Sequence, residues 1–167
     1  MATAITLISS VTVGSGGAAN IEFTSIPATY TDLVLVCSTR HSGSGSVADY
    51  ASVSLNGSTT SRTGRYLLGS GSSASSGTGQ FSGIDSGASA TANTFSNNNY
   101  YFPNYTSSEY KSWSIDAVTE NNATEAYVTL VAGLWSNTSA VTSIRITPGA
   151  GTYVQYSTAY LYGISNA

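Results

Sequence analysis

Apolar and polar residues alternate along most of this chain with a period of two, the spacing that sends successive side chains to opposite faces of an extended strand. Ile5, Leu7, Ser9, Val11 and Val13 share one parity; Thr6, Ile8, Ser10 and Thr12 share the other. Strand-like runs recur at Asn20 to Phe23, Asp32 to Thr39, Asp49 to Leu55, Arg65 to Leu68, Phe95 to Phe102, Lys111 to Thr119, Ala126 to Trp135, Ile144 to Thr147 and Gln155 to Ile164. No stretch carries a sustained apolar stripe at helical spacing with caps. Glu125 to Trp135 comes nearest, and its Tyr127, Val128, Thr129 and Val131 favour strand.

Turn chemistry divides the runs. Gly14-Ser15-Gly16-Gly17 separates the first two strands and predicts a hairpin between them. Ile26-Pro27 ends the second, because proline lacks the donor that a ladder requires. Asp32 to Thr39 is apolar at consecutive positions, which predicts a strand covered on both faces or one at the heart of a sandwich. Asn56-Gly57 is a tight-turn pair. Residues 69–79 are almost wholly Gly, Ser, Ala and Thr and read as a flexible surface loop. Phe81 to Ala90 is weakly patterned and reads as a short strand with a second loop. The expectation is an all-β chain, a jelly-roll-like β-sandwich of about nine to ten strands, forming a single domain over residues 1–167. No repeat of fixed period points to a propeller or solenoid.

Composition then bounds function. Only 8% of the 167 residues are charged, against about 25% in an ordinary soluble domain. Polarity comes from Ser, Thr, Asn, Gly and Tyr, which hydrogen-bond without ionising. Lys111 and four scattered arginines cannot supply the phosphate neutralisation that nucleic-acid binding draws on, nor a basic patch for an anionic membrane. The start has neither the basic nor the apolar region of a secretory signal, and no run is long enough to span a bilayer. The reading is a chain made and folded in a cytoplasm.

The residues suited to catalysis are few. Cys37 lies in an apolar run and reads as a core residue, His41 as a solvated residue in a Ser/Gly loop. One Cys and one His cannot make a zinc site. No Ser sits in a strand-to-helix elbow, and no helix follows the glycine clusters that would cradle a phosphate. Asp116 and Glu120 share strand parity but stand about 13 Å apart along an extended strand. With Glu125 they would hold calcium only if the chain turned at Asn121-Asn122. The expectation is no catalytic residue, no metal and no cofactor. The twelve tyrosines carry more weight. Tyr offers large contact area, a polar tip and little rotamer entropy to lose. Tyr100, Tyr101, Tyr105, Tyr153, Tyr156, Tyr160 and Tyr162 are the candidates for a protein–protein contact surface, with ordinary strand packing as the alternative. Tyr160 and Tyr162 share one face of the last strand, opposite Leu161.

Several strings together resemble a family of small virion structural proteins of tailed bacteriophages. They are Thr6-Leu7-Ile8, Ser25-Ile26-Pro27, Tyr30-Thr31-Asp32-Leu33, Ser54-Leu55-Asn56-Gly57-Ser58, Arg65-Tyr66-Leu67, Asn121-Asn122-Ala123-Thr124, Gly133-Leu134-Trp135-Ser136-Asn137 and Ala159-Tyr160-Leu161-Tyr162-Gly163-Ile164. The resemblance spans nearly the whole chain, and its motifs are structural. It implies a β-sandwich displayed on a phage particle, often as a homotrimer. Related sequences occur as head cement proteins and as tail-fibre or receptor-binding segments. With no heptad repeat or shaft sequence in view, the expectation is a capsid cement protein on the virion head, bound to the major capsid protein. The alternative is a tail module recognising host surface glycan. Neither is an enzyme.

Overall fold

The computed structural model describes residues 4–122 and 125–165. It is all-β, with thirteen strands among those residues. Along the chain they are β1 (Ala4–Thr12), β2 (Ile21–Phe23), β3 (Asp32–Ser38), β4 (Ala48–Tyr50), β5 (Ser52–Leu55), β6 (Arg62–Gly69) and β7 (Ala74–Thr78). There follow β8 (Ile84–Ser86), β9 (Asn97–Phe102), β10 (Lys111–Thr119), β11 (Tyr127–Trp135), β12 (Ile144–Thr147) and β13 (Thr158–Ser165). Eight make one antiparallel sheet in the order β1-β13-β3-β9-β10-β11-β6-β7. A three-stranded sheet, β2-β12-β5, and the pair β4-β8 make up the rest.

The winding runs from outside inward. The first strand pairs with the last in the large sheet, and the second pairs with the next to last in the small one. This folded-over order, continued by β3 beside β13 and β5 beside β12, is jelly-roll-like. It overturns the expected β1–β2 hairpin. The glycine turn does form, with the Gly17 N–H donating to the Gly14 carbonyl at 3.0 Å and Gly17 at φ 70°. The chain then crosses to the small sheet through a bridge between Ala18 and Tyr153, because Ile21 and Phe23 are needed in the core beneath it.

The core is one cluster of side chains between the sheets. Leu33, Leu35, Tyr100, Phe102, Trp113, Ile115, Val131 and Leu161 project from the large sheet, and Ile21, Val53, Leu55, Ile144 and Ile146 from the small one. Strand β10 shows the pattern cleanly: Lys111, Trp113, Ile115, Ala117 and Thr119 are buried, while the residues between them are exposed. In β3, Leu33, Leu35 and Cys37 face the core and Val34 and Val36 are half-buried on the other side, as befits a strand in the middle of a sheet. The simple alternation expected for β1 fails, because a bulge lies between Leu7 and Ser9. Ile5 and Leu7 therefore point away from the core, whereas Val11 packs against it.

The Gly/Ser stretch is also not wholly a loop. Ala74–Thr78 forms edge strand β7 beside β6. At position 77 a Cβ would come within 2.7 Å of the Tyr66 ring, which lies over this glycine. At Asn56-Gly57 both residues take positive φ, 51° and 73°, as a tight turn demands.

Candidate functional site

The large sheet has two faces, and the small sheets cover only one. Its outer face is unusually apolar. Ten large hydrophobic side chains are exposed among the described residues, and eight of them stand on this face: Ile5, Leu7, Leu67, Tyr101, Val118, Val128, Leu130 and Tyr160. Only Tyr110 and Tyr156 lie elsewhere.

Register converts this count into geometry. One row crosses all eight strands as Leu7, Tyr162, Val34, Tyr101, Ser114, Ala132, Arg65 and Thr78. The next row runs Ser10, Tyr160, Val36, Asn99, Asp116, Leu130, Leu67 and Ser76. The β1-β13-β3 end is thus a ridge of aromatic and branched side chains. The β11-β6-β7 end is hollow, because Ala132, Gly69, Ala74 and Ser76 are small. Leu67, Leu130, Ala132 and Arg65 line a groove there of about 500 Å³. A second hollow of about 270 Å³ continues it past Val128, Gly69 and Ala74.

Charge on this face is sparse and mostly occupied. The Tyr101 hydroxyl donates to the Asp32 carboxylate at 2.8 Å, and the Asn104 N–H donates to its other oxygen at 2.8 Å. That bond to Asp32, together with burial, raises the Tyr101 pKa. The Asn99 amide donates to Asp116 at 2.8 Å across neighbouring strands. Among the described residues Arg65 is the one cation on this face.

The candidate tyrosines divide between two environments. Tyr160 and Tyr162 stand on the ridge, with Tyr101 beside it on β9. Tyr156 is exposed in the loop before β13, at φ 72°. Tyr100, Tyr105 and Tyr153 are buried and unavailable to a partner, which corrects their assignment to a contact surface. Their work is internal. The Gly83 N–H donates to the Tyr100 hydroxyl at 3.0 Å, joining the β8 segment to the large sheet. The Tyr105 hydroxyl donates to the Pro27 carbonyl and fixes the β2–β3 connection. Strand parity could have flagged Tyr100 as the partner of Phe102 on the inner face. Nothing local marks Tyr105 or Tyr153, which lie in loops.

A buried polar nest is the second feature, and local patterning gave no sign of it. Asp85 on β8 is sealed in the core. It accepts from the Thr39 hydroxyl at 2.5 Å and the Asn98 amide at 3.0 Å, with the Ser96 hydroxyl at 3.5 Å. The Tyr153 hydroxyl lies against the same carboxylate outside good hydrogen-bond geometry. Burial raises the Asp85 pKa to about 6, against the lowering effect of its hydrogen bonds. Burial likewise pushes the Cys37 thiol well up, with the nearby Asp85 charge adding to it. His41 is not a solvated loop residue but fully buried. Its Nδ1 accepts from the Gly43 N–H at 3.1 Å, so the ring proton sits on Nε2, and burial lowers its pKa. The sole lysine is also buried: the Lys111 ammonium donates to the carbonyls of Ser107 at 2.6 Å and Glu109, tying the loop before β10 to its strand. The nest and the lysine sit inside the packing, where they hold elements together.

Asp116 and Glu120 remain apart in role. Asp116 pairs with Asn99, and Glu120 accepts from the Asn122 N–H at 2.8 Å in the turn beyond β10. Among the described residues no group of three or more His, Cys, Asp or Glu side chains is placed to hold a metal ion, and no helix is long and apolar enough to cross a membrane. No protein-family model matches the chain, and neither a curated protein nor a solved structure matches it.

Proposed function

We propose that this chain is a structural protein of a tailed-bacteriophage virion, a cement protein that binds the major capsid protein and reinforces the head lattice, with three copies at each site. The observation that carries the reading is the outer face of the large sheet. A face with eight exposed large apolar residues and few ions is built to be covered by protein rather than by water. Binding of this kind needs no titrating group and no turnover, which agrees with a chain whose ionisable residues are few and, in the case of Asp85, His41 and Lys111, locked in the core. The family resemblance supplies the setting, a phage head.

Cosedimentation with phage heads stripped of minor proteins tests it. The expected outcome is saturable attachment of the purified chain and greater resistance of the loaded heads to heat. Failure to bind heads, with attachment to host cells instead, overturns the cement reading in favour of a tail module. Release of soluble sugar from host polysaccharide, lost on replacing a single ionisable residue, overturns the non-enzymatic reading altogether.

A further inference from the structure

We infer that the capsid protein holds this chain by adding a strand of its own to the free edge of β7, an extended segment that carries a large apolar side chain and a carboxylate two residues apart. The inference rests on the cement reading and names what the partner brings to the outer face.

Three observations fix that chemistry. The first is the edge. β7 ends the large sheet on one side, paired with β6 alone. The Ser70 N–H donates to the Ser73 carbonyl at 2.9 Å and the Gly79 N–H to the Gly64 carbonyl at 3.1 Å. The alternation of an antiparallel ladder then turns Ser75 and Gly77 toward β6. The N–H and C=O groups of Ala74, Ser76 and Thr78 point away from the sheet and have no partner among the described residues. Edges are normally blunted by charge, proline or a bulge. β1, at the other end of the sheet, has a bulge; β7 has none of the three. An extended chain completes such a row of free groups.

The second is the hollow beside that edge. The outward side chains of β7 are small, and behind them Leu67 and Leu130 wall the groove of about 500 Å³. A residue of an added strand opposite Ser76 falls in the row of Leu67 and Leu130. A large apolar side chain at that place leans over Ser76 into the groove. A second copy of β7 would offer only Ala, Ser and Thr there, too small to fill it.

The third is charge. Of the five lysine and arginine side chains, four are taken up within the fold. Arg40 donates to the carbonyls of Ala88, Ala90, Thr91 and Thr94, and Arg62 to those of Val53 and Thr59. Lys111 is buried on loop carbonyls, and Arg145 pairs with Glu22. Arg65 is exposed, and among the described residues its guanidinium donates only to the carbonyl of its own neighbour, Gly64, at 2.9 Å. It lies in the row of Thr78. A residue of the added strand opposite Thr78 is two positions from the apolar one and about 10 Å from Arg65 between backbones. A Glu or Asp side chain reaching over Thr78 meets the guanidinium. One pair sheltered beneath the added strand is screened little by salt.

Cosedimentation with stripped phage heads tests the inference. Arg65→Glu is expected to weaken attachment by about tenfold or more, because it leaves the partner's carboxylate facing a like charge. Ser76→Pro removes an outward N–H that the β6–β7 ladder does not use, and is expected to cost about tenfold or more as well. Both positions are exposed, and circular dichroism matching wild type checks that the variants fold. Tyr156→Arg, exposed and off the face, is expected to attach like wild type. A photoreactive benzophenone side chain in place of Ala74 then identifies the occupant. Its cross-links are expected in one short stretch of the capsid protein, with an Asp or Glu two residues from a large apolar residue. Changing that acid to lysine is expected to restore attachment of Arg65→Glu. Variants at 65 and 76 that both attach like wild type, cross-links to scattered capsid sites or to a second copy of this chain, or a charge exchange that restores nothing each overturn the inference and leave the cement reading standing. A wild-type chain that does not attach to heads overturns both.

Discussion

Asp85 couples the core to pH. In the unfolded chain its carboxyl loses its proton near 3.8, and in the fold it keeps it to about 6. Between those values the folded chain holds a proton that the unfolded chain has lost, so stability falls as pH rises through this window and levels off above it. The gap is worth on the order of 3 kcal/mol. His41 acts in the opposite sense. Its folded pKa lies below the ordinary 6.5, so as pH drops beneath that value the unfolded chain gains a proton that the fold refuses, and stability is lost. Asp85→Asn keeps an acceptor for Thr39 and Asn98 while removing the charge. Urea midpoints from pH 4 to pH 8 are expected to show Asp85→Asn gaining on wild type steadily from pH 4 to about pH 6, with a constant difference above. A difference that does not change with pH would mean that the carboxyl titrates normally. His41→Gln is expected to remove the loss of stability on the acid side of about pH 6.5.

At the scale of elements, glycines show where strands and rings press together. Gly133 on β11 lies opposite Trp113 on β10, and a Cβ there would overlap the indole. That ring is pinned, since its Nε1–H donates to the Phe81 carbonyl at 3.0 Å and its face leans on Phe102, 6.2 Å between centroids. Gly133→Ala is therefore expected to cost about 1–3 kcal/mol in denaturant unfolding. Gly69→Ala on β6, with open space around its Cα, is expected to change stability by less than about 0.5 kcal/mol. Equal effects of the two would disprove the packing argument. The same residues explain what was readable beforehand. Alternation located β9, β10, β11 and β13 well, and set Leu161 against Tyr160 and Tyr162 correctly, because each of these strands has one face in the core. It could not find β7, whose Ser and Gly residues are strand only because β6 offers a ladder, with the Tyr66 ring lying over Gly77. Nor could it foresee the bulge in β1, or that β2 belongs to the other sheet, since both are settled by partners more than a hundred residues away. The outer face was half legible. Tyr101, Tyr160 and Tyr162 were picked out by type, while Leu67, Val128 and Leu130 pass for ordinary core residues until the sheet shows that nothing in the described chain covers them. His41 sits in a sequence that looks solvated, and its burial comes from the bridges to Ser86 and Tyr153.

For the whole molecule, the scarcity of charge has a measurable consequence. Contacts between ions weaken as salt shortens the Debye length, from about 10 Å at 0.1 M to about 3 Å at 1 M. Apolar contacts are not screened, and excluded salts such as sulfate strengthen them. The outer face carries Arg65, Asp116 and an Asp32 already bonded within the chain, against eight exposed large apolar side chains. Binding through this face is thus expected to change by less than about threefold between 0.1 M and 1 M sodium chloride, and to tighten in ammonium sulfate. Cosedimentation with heads at the two salt concentrations measures it. A loss of tenfold or more at 1 M sodium chloride would move the contact to the scattered charges off this face, such as the exposed Glu109. Retention would leave the neutral face as the binding surface. Asp85 and His41 are enclosed where they set stability against pH, and the outer face presents mostly side chains that pH and salt barely touch.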